Sequence, residues 1–364
     1  MQRLLILCLT ALALLPGCSG RTQYRADAPE IEYVGRTQAA ADGSVSFDWS
    51  GTYLYCRFTG GCLAMRVSDT GRNYYNLSID GKPQPRPIVT EGRDSLIVLA
   101  KDLSYGEHLV CLQKRTEGEQ GRTTIHAFEL SSGGELLPAA ARRERLIEFI
   151  GDSLTCGFGT EGASKDDPFL PQTENCNYAY ACMLARLFDA DYTLIAHSGR
   201  GLVRNYADPQ PVSAGGTLNH RVGNLFDECD SIPWNYAAAR RPDAVVVNLG
   251  SNDFSTQPNP SAEQFTAGYQ RLVEHLRRVY GDVPVVCVAP RVNDEVLQYI
   301  REFVRRSGDK RLYVAAFMQD YCNGSSDLGS CGHPNRQGQR KMAMLIAPYL
   351  STATGWEIPC RAVE

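Results

Sequence analysis

The stretch Leu146-Ile-Glu-Phe-Ile-Gly-Asp-Ser153 decides the fold of the second half of this chain. Its first five residues form a short, mostly apolar run, which is typical of a strand buried inside a sheet. Gly151 and Asp152 then supply residues that favour turns. We therefore expect Ser153 to lie where a buried strand gives way to a turn.

Three more short blocks lie at comparable positions further along the chain. Apolar runs at 192–196 and 244–249 precede two of them, and a helical pattern follows the third. The blocks are Gly199-Arg200-Gly201, Gly250-Ser251-Asn252-Asp253 and His333-Pro334-Asn335. Apolar strands that alternate with helical patterns indicate a parallel sheet covered on both faces. Ligands bind outside the carboxyl ends of such strands, so the blocks are expected to meet there.

The residue types in these blocks are the components of an acyl-transfer site. A serine hydroxyl becomes a good nucleophile when a base takes its proton, which predicts Ser153 and His333 as catalytic residues. Acyl transfer also develops an oxyanion, and each preorganised donor contributes about 3 kcal/mol. The predicted donors are the Ser153 N–H, the Gly201 N–H and the Asn252 side chain, with Gly199 as an alternative to Gly201.

The first half of the chain has a different pattern, with a period of two from about residue 32 to residue 137. Many short strands separated by glycine-containing turns indicate a β-sandwich. A stretch rich in serine, glycine, proline and alanine at 131–141 is typical of a junction between domains. We predict a β-sandwich domain over 31–140 and an α/β domain over 144–354.

Composition limits the classes of partner. The chain has 364 residues, a formal net charge of −4 and dispersed basic residues, so a nucleic-acid partner is not expected. Its thirteen cysteines include no Cys-x-x-Cys pair and no Cys/His spacing typical of zinc. Neither a metal nor an organic cofactor is therefore expected.

The amino-terminal residues have the features of a secretion signal. Arg3 supplies a positive charge, residues 4–15 are largely apolar, and Leu15-Pro-Gly-Cys18 follows. This arrangement resembles the signal of a bacterial lipoprotein. We expect removal of residues 1–17, lipidation of Cys18 and attachment of the exported protein to the cell envelope, with the lipid as its only membrane contact.

Two further expectations follow from export. Residues 18–30 are rich in small and polar residues and are predicted to form a flexible tether, while ordinary secretory cleavage near Gly20 is the alternative to lipidation. Export permits disulfides. The pairs close enough in sequence to bridge across turns are Cys56 with Cys62 and Cys322 with Cys331.

The four blocks resemble those of the SGNH (GDSL-type) hydrolases, in the order Ser, Gly, Asn and His. Other stretches are similar to one group within them, carbohydrate esterase family 2. They are residues 147–159, residues 198–206, Phe47-Asp-Trp-Ser-Gly51, Ser68-Asp-Thr-Gly71 and Ile79-Asp-Gly81. The resemblance extends over roughly residues 30–352.

This resemblance implies a three-layer α/β/α domain with a parallel sheet, preceded by a jelly-roll β-sandwich. It also implies an esterase that removes O-acetyl groups from plant polysaccharides, such as xylan or mannan, through an acetyl-enzyme on Ser153. The aromatic residues Phe158 and Tyr206 are candidate contacts to the sugar. The alternatives are a lipid or short-chain ester hydrolase of the same superfamily and a non-catalytic, surface glycan-binding protein.

The chain departs from the SGNH pattern next to the histidine. SGNH enzymes usually have an aspartate three residues before it, where this chain has Ser330. Asp327 is a candidate third member of the triad only if its loop folds back. Because some members of carbohydrate esterase family 2 use a serine–histidine dyad with a backbone carbonyl that orients the ring, the resemblance favours a dyad here.

Overall fold

The period-two pattern forms two antiparallel sheets in the computed structural model, which describes residues 21–290, 294–316 and 321–363. The strands are β1 (Thr22–Arg25), β2 (Ile31–Val34), β3 (Gln38–Ala39), β4 (Val45–Phe47), β5 (Tyr53–Thr59), β6 (Leu63–Asp69), β7 (Arg72–Ile79), β8 (Lys82–Pro83), β9 (Ile88–Glu91), β10 (Ser95–Ala100), β11 (Glu107–Lys114) and β12 (Thr123–Leu130).

One sheet has the order β10-β6-β12-β4-β3, with β1 also paired to β12. The other has the order β2-β5-β11-β7-β8, with β9 also paired to β7. Alternate residues of each strand point inward, so Leu54, Cys56 and Phe58 of β5 are buried in one core with Phe128 of β12. The predicted β-sandwich is confirmed.

The sandwich begins earlier than expected. Thr22–Arg25 pairs with β12, from Thr22 opposite Leu130 to Arg25 opposite Ala127, and Ala26 is buried in the core. This part of the expected tether at 18–30 is therefore a strand, because the edge of β12 offers backbone hydrogen bonds that a solvated tether would lack. Cys18 and the expected signal at 1–17 lie outside the described residues.

The second half of the chain alternates between strands and helices. They are β13 (Arg145–Gly151), α1 (Ser153–Cys156), α2 (Tyr180–Leu187), β14 (Ala190–Ala196), α3 (Leu218–Arg221), β15 (Asn224–Phe226), β16 (Cys229–Pro233), β17 (Ala244–Asn248), α4 (Ala262–Tyr280), β18 (Val285–Ala289), α5 (Asp294–Ser307), β19 (Leu312–Ala316) and α6 (Arg336–Thr354). The main sheet has the order β14-β13-β17-β18-β19 and is parallel throughout, and β15 with β16 forms a separate antiparallel pair.

Helices cover both faces of the parallel sheet. Ala244 and Val246 of the central strand pack in one core with α2 and α6, whereas Val245 and Val247 pack in a second core with α4 and α5. A strand buried on both faces must be apolar at nearly every position, which explains its uninterrupted apolar run. The predicted three-layer α/β/α class is confirmed.

Buried polar contacts join the sandwich to the α/β domain. Arg36 is 1% exposed, and its Nη1 donates to the backbone oxygens of Val222 and Asn224. At the amino end of the sheet, Tyr53 Oη donates to Asp191 Oδ1 at 2.7 Å. Because buried donors that lose their acceptors are costly, these contacts fix the two domains against each other.

The two short-range disulfides considered above are not formed. Cys56 is a free thiol in the core of the sandwich, and Cys331 is a free thiol at the surface. Burial raises the pKa of Cys56 to about 12, so this thiol stays protonated at neutral pH. Across the described ranges, the helices include none that is both long and apolar enough to cross a membrane.

Candidate active site

The candidate nucleophile lies at the carboxyl edge of the sheet, in a turn with little free space. β13 ends at Gly151, where a Cβ would lie 2.0 Å from Thr155 Oγ1. Asp152 caps α1 by accepting the Leu154 N–H at 3.1 Å, which satisfies a donor at the start of the helix. Ser153 therefore begins α1 directly beyond the strand.

The candidate base reaches the nucleophile from the far end of the chain. Nε2 of His333 lies 2.9 Å from Oγ of Ser153, within hydrogen-bond distance. His333 follows a single 3-10 turn at Ser330–Gly332. Asn335 is the N-cap of α6, and its side chain accepts hydrogen bonds from the N–H groups of Gln337 and Gly338. The turn and the cap together set where the imidazole enters the site.

The loop that carries His333 is bound to the loop that follows α1. The N–H groups of Ser330 and Cys331 donate to the backbone oxygens of Gly159 and Asp167, respectively. Ser330 is buried, and a Cβ at Gly162 would lie 2.3 Å from its Oγ. The position that carries an aspartate in most SGNH enzymes is therefore closely packed here.

Two phenylalanine rings pack beside the imidazole. The centroid of Phe158 lies 4.4 Å from that of His333, and Phe169 stacks on Phe158 at 3.9 Å with an interplanar angle of 14°. Burial lowers the pKa of His333 below 6.5, while the backbone carbonyl of Cys331, the charge of Glu117 and the backbone carbonyl of Ser330 act in the opposite direction. The ring is therefore neutral at pH 7 and able to accept a proton.

Asp327 lies elsewhere in the loop and does not contact the imidazole. Its carboxylate pairs with Lys341 Nζ and accepts hydrogen bonds from the Asn323 N–H and Ser326 Oγ. Burial acts to raise the pKa of Asp327, but these hydrogen bonds outweigh it and lower the pKa. Nδ1 of His333 has no hydrogen-bond partner in the part of the chain that the structure describes, so Asp327 is not placed as a triad member.

The three predicted oxyanion donors gather at the same edge. The N–H groups of Ser153 and Gly201 have no acceptor within the described ranges. Asn252 Nδ2 donates to the Arg200 carbonyl at 2.9 Å and to Asp152 Oδ2 at 3.3 Å, so both of its hydrogens are used within the protein. Since the Arg200 carbonyl and the Gly201 N–H belong to one peptide group, Asn252 fixes the orientation of that group.

The two glycines of the second block differ in their surroundings. Gly199 has a φ of +73°, and a Cβ there would have space, with Tyr206 Cβ the nearest atom at 3.7 Å. A Cβ at Gly201 would lie 1.9 Å from the Arg204 carbonyl and 2.5 Å from Asp253 Oδ2. Gly199 therefore provides the turn, and Gly201 permits a close approach of the chain.

Asp253 is a site residue to which sequence reasoning assigned no role. Its buried carboxylate accepts three consecutive backbone N–H groups, from Leu202 at 2.9 Å, Val203 at 2.7 Å and Arg204 at 2.9 Å. Burial raises its pKa, while these hydrogen bonds oppose the rise. The one signal in the sequence is that an acidic residue directly follows Asn252 at the end of a buried strand.

The predicted sugar contacts have different environments. Phe158 is partly buried, and its ring packs against the imidazole of His333. Tyr206 is 68% exposed, and its N–H donates to the Gly199 carbonyl at 2.7 Å. Tyr206 therefore presents an open aromatic surface beside the oxyanion loop, the segment 198–201 that carries the Gly201 N–H.

Near the site, His197, Asp227 and Glu228 are close enough together to bind a metal ion. Arg221 Nη1 donates to Asp227 at 2.8 Å and to Glu228 at 2.9 Å, and His197 Nδ1 lies 2.7 Å from Asp227 Oδ2. Burial acts to lower the pKa of His197, but hydrogen bonds to Asp227 and Glu119 outweigh it and raise the pKa to about 10. The charges of Arg221 and of protonated His197 thus already balance the carboxylates of Asp227 and Glu228.

Comparison with known proteins identifies both domains. Residues 33–139 match the family described as carbohydrate esterase 2 N-terminal, and residues 149–341 match the GDSL-like lipase/acylhydrolase family. Cellulase/esterase CelE from Acetivibrio thermocellus is 33% identical over 91% of this chain, although the chain spans only 40% of CelE. An acetylxylan esterase/glucomannan deacetylase from Cellvibrio japonicus is 27% identical over 86% of this chain and 87% of its own length.

Solved structures agree with the sequence comparison. A family two carbohydrate esterase from Clostridium thermocellum, in complex with cellohexaose, superposes with a TM-score of 0.83 and 32% identity, over 90% of this chain and 100% of that one. The match includes the β-sandwich as well as the α/β domain. The chain therefore belongs to carbohydrate esterase family 2, as its four blocks and the motifs of its β-sandwich predicted.

Proposed function

We propose that this carbohydrate esterase removes O-acetyl groups from plant polysaccharides of the xylan or mannan type. The observation that carries the proposal is the 2.9 Å contact between Ser153 Oγ and His333 Nε2. At the same edge of the sheet, the N–H groups of Ser153 and Gly201 have no acceptor among the described residues. A nucleophile, a base and oxyanion donors that meet at one edge of the sheet are the requirements of acyl transfer.

In the first half of the reaction, His333 Nε2 takes the proton of Ser153 as Oγ attacks the acetyl carbonyl carbon. The carbonyl π electrons move to oxygen, and the Ser153 N–H and the Gly201 N–H stabilise the resulting oxyanion, while Asn252 Nδ2 holds the peptide group that carries the Gly201 N–H. When the intermediate collapses, the bond to the sugar oxygen breaks and His333 returns its proton to that oxygen. The products are a free sugar hydroxyl and an acetyl ester on Ser153.

In the second half, water replaces the sugar. His333 Nε2 takes a proton from water as its oxygen attacks the acetyl carbonyl, and the same donors stabilise the second oxyanion. Collapse breaks the bond to Ser153 Oγ, which recovers its proton from His333, and acetate leaves. The cycle uses no group beyond the chain itself and water.

The orientation of His333 has a basis other than a carboxylate. Phe158 packs on the ring and Phe169 stacks on Phe158, and the backbone carbonyls of Cys331 and Ser330 lie near the ring, although Nδ1 makes no hydrogen bond to any described residue. Because Asp327 forms an ion pair with Lys341, a dyad whose histidine is oriented by ring packing and backbone groups agrees with the structure.

The names of the relatives support the substrate class. One curated relative is an acetylxylan esterase/glucomannan deacetylase, and one solved relative is a carbohydrate esterase in complex with cellohexaose. The exposed ring of Tyr206 beside the oxyanion loop suits the apolar face of a pyranose. A sugar bound there would lie beside the loop that carries the Gly201 N–H.

The test is acetate release from acetylated xylan and acetylated glucomannan, with the wild type compared to Ser153→Ala and His333→Ala. Both variants should lose activity by at least about a thousandfold. The exposed His220 provides a matched control, since His220→Ala should behave as the wild type. An active Ser153→Ala variant, or a wild type that releases no acetate from either glycan, would contradict the proposal.

We also propose that the protein is exported and held in the cell envelope by a lipid on Cys18. The support is the charged and apolar sequence before Leu15-Pro-Gly-Cys18. Since Thr22 already belongs to β1, such a lipid would hold the sandwich close to the membrane. Incorporation of labelled fatty acid into the wild type but not into Cys18→Ala is the expected result, and equal labelling would contradict it.

A further inference from the structure

A segment of the β-sandwich enters the α/β domain behind the oxyanion loop. Nζ of Lys114, the last residue of β11, donates to the backbone oxygens of Thr116 and Glu117 at 2.7 and 2.9 Å. The next residue, Gly118, lies so close to the other domain that a Cβ there would be 2.6 Å from Asp227 Cβ. The backbone around Glu117 is therefore held on both sides.

The carboxylate of Glu117 contacts the oxyanion loop directly. One of its oxygens accepts the Ser198 backbone N–H, and the other accepts the hydroxyl of the same serine. Glu117 is 1% exposed. A charged acceptor shielded from water makes a strong hydrogen bond to a backbone N–H, so this pair of contacts fixes Ser198.

Ser198 begins the loop that carries the Gly201 N–H, and Asp253 holds the other end. Asp253 accepts the N–H groups of residues 202–204, while Asn252 holds the Arg200 carbonyl between the two ends. The loop is thus held from one side by residues of its own domain. Glu117 holds it from the other side, across the domain boundary.

Glu117 also lies beside the nucleophile helix. Burial and then the charge of Glu117 are the main causes that raise the pKa of the thiol of Cys156, the last residue of α1. One carboxylate from the β-sandwich therefore contacts the loop of residues 198–201 and lies near α1, the two segments that supply the backbone oxyanion donors.

We propose that Glu117 is a positioning residue that fixes the loop of residues 198–201, and with it the Gly201 N–H, for stabilisation of the oxyanion. The β-sandwich is then part of the catalytic apparatus and not only a neighbouring domain. This inference rests on the proposed esterase function of the site. It assigns to Glu117 no contact with the substrate.

The first test compares Glu117→Ala and Glu117→Gln with the wild type on a chromogenic acetyl ester. Removal of one oxyanion donor costs about 10²–10³ in kcat, so a displaced donor in Glu117→Ala should lower kcat by about 10–100-fold, with KM changed by less than about threefold. Glutamine keeps one oxygen for the Ser198 N–H and an amide group for the hydroxyl. The kcat of Glu117→Gln should therefore be at least about tenfold higher than that of Glu117→Ala.

Tyr53→Phe is the matched control, because it removes a buried hydrogen bond between the domains at the opposite end of the sheet. It should lower the melting temperature and leave kcat unchanged. A folded Glu117→Ala variant with kcat within about twofold of the wild type would overturn the inference, as would equal losses in Glu117→Ala and Tyr53→Phe.

If Glu117→Ala does not fold, Glu117→Gln, Ser198→Ala and their double variant provide the test. Effects on kcat that are non-additive, with a double variant no worse than the stronger single variant, would support positioning through Ser198. Additive effects would overturn it. An inactive wild type would instead contradict the proposed function, so the two failures are distinguishable.

Discussion

Asp327 forms an ion pair with Lys341 of α6, and this pair lies away from the imidazole of His333. The aspartate also accepts the Asn323 N–H at 2.6 Å. Its role in the structure is to close the loop that delivers His333 to the site. The carboxylate closest in sequence to the histidine thus acts on the backbone of the loop, which agrees with a catalytic dyad.

Replacement of Asp327 with alanine should therefore affect stability more than catalysis. We expect kcat to fall by less than about tenfold, far from the loss of about 10⁴ that follows removal of a true triad carboxylate. The free energy of unfolding should fall by about 1–3 kcal/mol, because the hydrogen bonds from the Asn323 N–H and the Ser326 hydroxyl to a buried, charged acceptor are lost. Steady-state kinetics and thermal unfolding measure the two effects. A thousandfold loss of kcat at unchanged stability would show instead that Asp327 is a member of a catalytic triad.

The pH dependence of the reaction should show the lowered pKa of His333. The base must be neutral to act, and a lowered pKa keeps it neutral to more acidic pH, so the acidic limb of kcat/KM should have its midpoint below pH 6.5. Burial raises the pKa of neighbouring Asp152 to about 7. A limb near pH 7 that moves in Asp152→Asn would belong to Asp152 and would contradict the assignment to His333.

Phe158 should matter for the orientation of His333 and not only for sugar binding. Its ring lies 4.4 Å from the imidazole, and a small displacement of a catalytic group can cost about 10²-fold in rate. We expect Phe158→Ala to lower kcat by about 10–100-fold on a small acetyl ester that lacks a sugar. Phe169→Ala, which removes only the outer ring of the stack, should cost less. A defect confined to KM for acetylated polysaccharide would mean that Phe158 serves only the substrate.

Acyl-chain length distinguishes a deacetylase from a lipid esterase. We expect kcat/KM to fall from acetyl to butyryl to octanoyl esters, since the proposed substrate delivers a small acyl group and binds through its sugar. A lipid esterase would gain about 0.8 kcal/mol for each methylene that it buries. A series of p-nitrophenyl esters measures the trend, and rates that rise with chain length would favour the lipid esterase.

The local sequence pattern predicted the layers of this protein and which short blocks of residues follow the strands of the parallel sheet. Strands buried on both faces of a parallel sheet must be apolar throughout, so the run before Asn248 and the run before Gly151 were recognisable without a structure. The positions of Ser153 and Asn252 follow from those runs, because residues just beyond parallel strands meet at one edge. The 2.9 Å contact from His333 to Ser153 lies at that same edge.

Contacts between distant segments were not predictable in this way. Nothing in the local pattern of residues 22–25 distinguishes a tether from a strand, because only the free edge of β12 makes it a strand. Asp327 has the carboxylate that a triad member needs, but the path of the loop brings it to Lys341.

The sequence by itself determined the two domains, the family and the set of residues from which the site is built, since these depend on periodicity and on residue type at strand ends. Only the tertiary structure decided how that set is held. Glu117 is one acidic residue among many in the sequence, and it acquires a role because the sandwich packs so that its carboxylate meets Ser198 away from water. Burial turns such a group into a strong acceptor, and burial is a property of the whole fold.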